Sequence, residues 1–373
     1  MNDLNARCKN TKKQWIFDEN FFIFVLMKEN LLGKTPEELR AAAVSLGLPA
    51  FTGSQLARWM YVSGARSFDE MTNISKTARQ TLSATFSVGI SAPAAVSVSC
   101  DGTKKYLFKV SCPGVSSCGE SFIEAVMIPD GERKTLCVSS QAGCRMGCRF
   151  CMTGRQGFHG NLSVSDILNQ FLSVDEAGEL TNAVFMGMGE PLDNADAVFR
   201  ALTVLTSEWG FAWSPKRITL STIGVLPGLK RYLDGFRSHL AVSLHNPFSD
   251  ERLEMMPAQK VWPAARIIEL LRQYDFSGQR RVSFEYTMFA GFNDDKRHAD
   301  ALIRLLSGME CRVNLIRFHK IPDFPYECPP DVVMERFRDR LSSHGVTCTI
   351  RASRGEDILA ACGLLAGRQT IKD

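Results

Sequence analysis

A chain of 373 residues, 45% hydrophobic and 23% charged, has the apolar content for about two domains, one of them large enough to be an α/β barrel. Its formal charge of +4 and pI near 8.4 admit a nucleic-acid partner without demanding one, because the usual footprint is a stronger, localised basic excess. The apolar stretch at residues 15–26 is short and interrupted by Asp18 and Glu19, which argues against both a signal-peptide core and a spanning helix, so a cytoplasmic protein with no membrane association is expected.

Residues 1–26 carry no periodic pattern and are read as an N-terminal extension, either disordered or upstream of a true start at Met27. Thr35-Pro36-Glu37-Glu38 is a capping box with proline in the first helical position, which predicts a helix through Leu46. Further helices are expected at 54–62 and 75–86, making residues 27–91 a small helical accessory domain. Between 92 and 133 short β-prone runs at 105–110 and 122–128, broken by Gly and Pro, read as a β-hairpin connector. From 134 to 352 the pattern alternates. Strands are expected at 135–139, 183–188, 217–221, 240–244, 281–288, 312–318 and 347–351, and helices at 164–177, 195–206, 263–274, 295–306 and 332–344. Such alternation implies right-handed βαβ units and a parallel sheet closed, or partly closed, into a (β/α) barrel, with functional groups at the carboxyl ends of its strands. Residues 353–373 form a C-terminal segment.

Directly after the first barrel strand come Cys144, Cys148 and Cys151, in GCRMGCRFCMTG. In a reducing compartment cysteines are better read as ligands or catalysts than as bridges. Thiolates spaced C-x3-C-x2-C hold an iron–sulfur cluster, and three ligands leave one iron of a four-iron cluster open to an amine and a carboxylate. S-adenosylmethionine (SAM) presents both. One electron passed to the bound sulfonium releases a 5′-deoxyadenosyl radical able to take hydrogen from an unactivated C–H bond. The competing readings are a zinc site, which asks for a fourth Cys or His at short spacing, and three unconnected cysteines.

Gly187-Met188-Gly189-Glu190-Pro191 ends the next strand. Its glycines would let backbone approach a ligand, with carbonyls and Glu190 accepting from the SAM ammonium; alone, the motif would be a strand-to-loop turn. Ser221 and Ser243 offer hydroxyls to ribose or carboxylate oxygens, and Asn314 offers an amide to the adenine or methionyl end, each being otherwise a turn or cap residue. His245 is read as supporting the site through neighbouring backbone, not as a base. Among the remaining cysteines, Cys137 on the strand leading into the cysteine loop and Cys362 in DILAACG stand out, whereas Cys8, Cys100, Cys112, Cys118, Cys311, Cys328 and Cys348 are read as inert packing. Glu124 is a charge inside the apolar run FIEAV, either facing solvent on an edge strand or turned inward as a candidate base. Lys104, Lys105, Arg155, Lys216, Arg217, Arg317 and Lys320, near strand ends and loops, are candidates for neutralising phosphates, surface solvation being the ordinary role of any one.

Taken in order, IEAVMIP, TLCVSSQAGC, C-x3-C-x2-C, GMGEPL, LSTIGV, VSLHNP, VNLIRF and RGEDILAACGLLAG resemble the radical SAM RNA methyltransferases that modify carbon 2 of adenosine, the RlmN family, whose relative Cfr modifies carbon 8. The resemblance runs from Leu31 to Gly367. TLCVSSQAGC, GMGEPL and the LLGKTPEELR opening favour carbon 2, while LSTIGV and VNLIRF read like the carbon-8 subfamily. What the resemblance implies is a two-cysteine mechanism. One SAM methylates the thiolate of Cys362, and the cluster on Cys144, Cys148 and Cys151 cleaves a second. The radical takes hydrogen from the methyl group on Cys362, and the resulting carbon radical adds to carbon 2 of the adenine. Cys137 then attacks the sulfur of Cys362, releasing product and leaving a Cys137–Cys362 disulfide, while Glu124 accepts the proton. Gly189, Glu190, Ser221, Ser243, Leu244, His245 and Asn314 are the implied SAM contacts. Also implied are one 4Fe-4S cluster and SAM as cofactors, and two substrates: an adenosine in the peptidyl-transferase region of 23S rRNA and the adenosine 3′ of the tRNA anticodon. An electron donor such as flavodoxin with its reductase, a thiol reductant and a monomeric state complete the expectation. Another radical SAM activase or synthase would give no reason for Cys137 and Cys362 together. A cluster-containing RNA-binding or redox-sensor module would bind a cluster without cleaving SAM.

Overall fold

The computed structural model describes residues 28–111, 121–278 and 280–367; the N-terminal extension, Met27, Cys8, Cys112 and Cys118 lie outside them. After β1 (Glu29–Asn30), the Thr35 hydroxyl accepts from the Glu38 amide, the Glu38 carboxylate accepts from the Thr35 amide, and Pro36 opens α1 (Pro36–Ser45). α2 (Thr52–Ala57) widens into a π-helical turn at Arg58–Val62, so the expected single helix changes pitch midway. α3 (Lys76–Thr85) leads to β2 (Phe86–Ser87), which pairs parallel with β1. Leu39, Leu56, Met60, Met71 and Leu82, all fully buried, make the small core. This domain docks through Tyr61, whose hydroxyl accepts from the Gly33 amide and donates to the Lys34 carbonyl while its ring meets Trp209 edge-on at 5.7 Å.

β3 (Ala95–Val98), β4 (Lys104–Val110), β5 (Ser121–Asp130) and β6 (Arg133–Cys137) form an antiparallel meander. The cysteine loop is framed by β7 (Gln141–Gly143), α4 (Met152–Arg155) and β8 (Phe158–Asn161). The alternating part follows as α5 (Val164–Leu172), β9 (Asn182–Phe185), α6 (Ala195–Thr206), β10 (Ile218–Thr222), α7 (Leu226–Gly235), β11 (His239–Ser243), α8 (Ser249–Met255), α9 (Ala264–Leu271), β12 (Val282–Met288), α10 (Lys296–Leu306), β13 (Arg312–Arg317), α11 (Asp331–Ser343) and β14 (Thr347–Ile350). One ten-stranded sheet runs β14-β13-β12-β11-β10-β9-β6-β5-β4-β3, with β6 and β9 to β14 parallel. The residues read as a hairpin connector therefore continue the barrel sheet. They do so because β4 and β5 carry buried apolar residues, Tyr106, Phe108, Ile123 and Ala125 among them, that need the same core.

β3 and β14 are the two edges of this sheet, and the segment after β14 ties them together. The Gly355 amide donates to Asp101, and the Asp357 carboxylate accepts from the Ser99 hydroxyl and the Cys100 amide. Among the described residues no helix is long and apolar enough to cross a membrane.

Candidate active site

The cysteine loop is rigid by construction. The Cys144 amide donates to the Gly157 carbonyl across the β7–β8 hairpin at 2.8 Å, and the Cys151 amide to the Cys148 carbonyl at 3.2 Å. α4 folds back so closely that a Cβ on Gly154 would stand 2.9 Å from the backbone nitrogen and oxygen of Cys148. Phe150, between the second and third cysteines, anchors the loop, its ring lying 5.0 Å from His245 and 5.4 Å from Phe289. All three cysteines line one cleft of about 910 Å³, part of it open to solvent, at the carboxyl end of the strands. Burial pushes the Cys144 thiol up to about 12 and holds the Cys148 thiol well above its ordinary value, so binding metal there must displace protons. Among the described residues no three His, Cys, Asp or Glu side chains converge as the ligands of a single ion do. Three thiolates spaced C-x3-C-x2-C on one cleft are the donor set of a four-iron cluster with one open iron, and the residues present fit that group.

Facing the loop is the GMGEP turn. Gly189 has φ +97°, and a Cβ there would lie 2.7 Å from the backbone nitrogen of Gln141, so only glycine lets this turn dock on residues 139–141. The Met188 carbonyl accepts from the amides of Ser140 and Gln141, and the Gln141 side chain accepts from the Glu190 amide. Glu190 is buried. Its Oε1 accepts from the Thr222 hydroxyl (2.5 Å) and the Leu192 amide (3.1 Å), and its Oε2 from the Ile223 amide (2.9 Å). Burial outweighs these donors and pushes the carboxyl up to about 7; an ammonium in the cleft would restore its charge.

Ser221, Ser243 and His245 line the third wall. His245 adopts φ +56°, its Nδ1 accepts from the Thr287 amide at 2.9 Å, and its carbonyl accepts from the Asn293 side chain at 2.8 Å. Burial drives its pKa down to about 3, so the ring is neutral and its Nδ1 is held by the Thr287 amide. Leu244 and Asn314 are not on the cleft wall. The Leu244 side chain is buried and its carbonyl accepts from Arg252. Asn314 donates to Glu285 at 2.7 Å and accepts from the Thr349 hydroxyl at 2.8 Å.

Cys362 joins the cysteine trio on the cleft. Its segment is stitched to the loop helix: the Met152 amide donates to the Gly363 carbonyl, the Thr153 hydroxyl to the Leu365 carbonyl, and the Gln156 side chain to the Ala366 carbonyl. Cys137, at the end of β6, lies behind the wall. Burial pushes its thiol up to about 12, and the charge of an ionised Cys362 reaches it and adds to the rise. Glu124 faces inward, not outward on an edge: it is 1% exposed, 3.0 Å from the Lys105 ammonium, and accepts at Oε2 from the amides of Ala366 (2.7 Å) and Gly367 (3.0 Å). Glu124 and Cys362 thus meet the same short segment, residues 362–367.

Residues 138–302 match the family model of the radical SAM superfamily, and residues 29–88 that of the ribosomal RNA large subunit methyltransferase N-terminal domain. A solved radical SAM methyltransferase from Sphaerobacter thermophilus is similar over 91% of this chain and 100% of that one, with a TM-score of 0.85 and 36% identity. A Porphyromonas gingivalis protein named "Probable dual-specificity RNA methyltransferase RlmN" is 57% identical over 337 residues, 90% of this chain and 96% of the relative. The chain belongs to the RlmN family. A further RlmN relative, the "Dual-specificity RNA methyltransferase RlmN" of Syntrophus aciditrophicus, is 40% identical over 91% of this chain and 97% of its own length.

In this RlmN-family chain two site residues escape a sequence reading. Glu285 is buried on β12 and lines the cleft. Its Oε1 accepts from Ser283 and Asn314, while Oε2 has no hydrogen-bond partner. Ser243, Glu285, Asn314 and Thr349 lie in register across β11 to β14, which is why Asn314 meets Glu285 before it can meet a ligand. A carboxylate inside the apolar run SFEYT is the same signal that singles out Glu124. The second is Arg252, fully buried on α8. The basic residues expected to meet phosphate are mostly engaged within the protein. Lys104 pairs with Asp175 and Glu176, Lys105 with Glu124, Arg155 with Asp323, Arg317 with Asp331 and Lys320 with Glu327. Arg217 donates to the carbonyls of Leu180 and Thr181 and stacks on Trp213.

Proposed function

We propose that this chain methylates carbon 2 of adenosine in 23S rRNA and in tRNA through a methyl group carried on Cys362. The observation that carries the reading is the shared cleft: Cys362 lines it with Cys144, Cys148 and Cys151, and the segment bearing Cys362 hydrogen-bonds to Glu124. When bound on the three cysteines with SAM at its open iron, a four-iron cluster supplies the one-electron chemistry needed to take hydrogen from a methyl group.

The chain's own residues do the rest. The carbonyls around Gly189, with Glu190, receive the SAM ammonium, and Ser221 and Ser243 offer hydroxyls to its ribose or carboxylate oxygens. His245 and Leu244 hold the backbone of that wall, and Asn314 acts through Glu285. Burial raises the pKa of the Cys362 thiol, and the charge of Arg351 offsets part of that rise, so the thiol gives up its proton as it accepts the methyl group. The target adenine must leave its stack to enter the cleft. Once the methylene radical on Cys362 has added to carbon 2, Glu124 would accept the proton from that carbon, with the unpaired electron of the adduct returned to the cluster. Cys137 then loses its proton and attacks the Cys362 sulfur, forming the S–S bond as the S–C bond to the transferred carbon breaks; the electron pair stays with that carbon, which takes up a proton to complete the methyl group. A thiol reductant reopens the pair. A cytoplasmic monomer served by a flavodoxin-type donor completes the proposal.

The RlmN names of relatives at 40% and 57% identity favour carbon 2 over carbon 8. Mass spectrometry of nucleosides tests this, using unmethylated 23S rRNA fragments and tRNA incubated with anaerobically reconstituted protein, SAM and a reductant. 2-Methyladenosine in both RNAs is expected; 8-methyladenosine, or no methylation by cluster-loaded protein, overturns the proposal.

A further inference from the structure

Arg252 is 1% exposed, and every polar edge of its guanidinium is engaged. Nε donates to the Leu244 carbonyl (3.0 Å), Nη2 to the carbonyls of Ser243 (3.0 Å) and Ile223 (3.4 Å), and Nη1 to the Gln259 side-chain oxygen and the Trp262 carbonyl. None of these partners is a carboxylate. A buried cation without an anion is strongly unfavourable, and an arginine cannot escape by losing its proton. Its element abuts the cysteine loop: the Arg149 amide donates to the Met255 carbonyl at 3.0 Å, and Met256 lines the cleft beside the cysteines. The charge of Cys148, once it is a thiolate, reaches Arg252.

We propose that Arg252 is the resident counter-cation of the cluster site, favouring the reduced cluster by its charge while its fork fixes the carbonyls of Ile223, Ser243 and Leu244 at the ends of β10 and β11. The inference rests on the cluster assigned to Cys144, Cys148 and Cys151. Three thiolates on a four-iron core leave a net negative site, and reduction adds one more negative charge; a fixed cation in a low-dielectric wall stabilises the second state more than the first. With its donors engaged, Arg252 has none left for the SAM carboxylate, so this is a positioning and electrostatic role.

Gln259 provides the separating variant. It is 6% exposed, and its Oε1 accepts from both Arg252 and the Ala264 amide. Gln259→Glu places an anion on Arg252 and cancels its charge while keeping the fork. Arg252→Met removes both charge and fork, and Arg252→Lys keeps the charge alone. Full-length proteins are reconstituted anaerobically, iron and sulfide are counted, and the reduced-to-oxidised cluster ratio is read by electron paramagnetic resonance without SAM at one fixed redox poise. Gln259→Glu and Arg252→Met should lower that ratio about tenfold, a shift of about 59 mV for a one-electron couple, whereas Arg252→Lys stays within about threefold of wild type and weakens SAM binding. An unchanged ratio in iron-replete Gln259→Glu overturns the inference, even if Arg252→Met fails to fold. Wild-type protein that takes up no iron overturns the cofactor reading itself, a distinct result.

Discussion

Replacing Glu190 with Gln should erase a pH dependence that the iron-free protein derives from one buried carboxyl. In the fold its pKa rises from 4.5 to about 7, chiefly because burial penalises the charged form. The native state therefore holds the proton more tightly than the unfolded chain. Glu190's contribution is fully present below pH 4.5 and is lost as pH climbs through 7. A rise of that size corresponds to about 3 kcal/mol at about 1.4 kcal/mol per pH unit. Gln cannot titrate, but its amide nitrogen would face the Ile223 amide that now donates to Oε2, a pH-independent loss of about 1–3 kcal/mol. The stability gap between wild type and variant should therefore narrow by about 3 kcal/mol between pH 4.5 and 7.5, closing or reversing at the upper end. Urea unfolding of both proteins, iron-free and under reductant at pH 4.5, 6 and 7.5, measures it. A gap constant to within about 0.5 kcal/mol would show that the three donors around Glu190 keep it ionised throughout, refuting the dominance of burial.

Other outcomes follow from the same cleft. Cys362→Ala should give neither methylated enzyme nor methylated RNA, whereas Cys137→Ala should accumulate a covalent RNA–protein adduct, seen as a shifted gel band that nuclease collapses; normal turnover in both variants rules out the two-cysteine route. Ala at Cys144, Cys148 or Cys151 should abolish iron uptake and 5′-deoxyadenosine formation together, and stoichiometric zinc without iron in the anaerobically purified wild type would sink the cluster assignment. RNA affinity should fall as salt rises while SAM cleavage without RNA changes far less; salt-independent RNA binding would point to a small-molecule substrate.

What can be read in the sequence depends on how local its cause is. The start of α1 is legible because Thr35 and Glu38 satisfy each other's backbone within one turn. β11 is legible because a parallel strand covered on both faces is a short apolar run between helices, and β10 because its apolar residues Ile218 and Leu220 alternate with Thr and Ser. α7 hides behind Pro227, Gly228 and Gly235, residues that look like a loop until its apolar face, Leu229, Tyr232 and Leu233, is packed. The sheet membership of β3 to β5 rests on cross-strand pairing that no local pattern announces. Asn314 is identifiable as a polar strand-end residue, but that its amide meets Glu285 is a matter of register between strands. Arg252 sits in SDERLEM, which reads as a solvated helix face; its burial follows from where α8 lands, against Ser243 and Gln259.

The strap that joins β3 to β14 has a consequence for the order of events during folding. Its bonds, from Gly355 to Asp101 and from Asp357 to Ser99 and Cys100, link residues more than 250 positions apart, contacts whose loop-closure entropy places them late on a folding route. Cys362 lies just beyond that strap and Cys137 deep in the first half of the sheet. The two thiols therefore remain strangers in the nascent chain and become neighbours only once the barrel has closed on itself. On the proposed mechanism this pair bonds in every catalytic cycle, and topology and timing keep it from bonding prematurely in a chain with 12 cysteines to choose from.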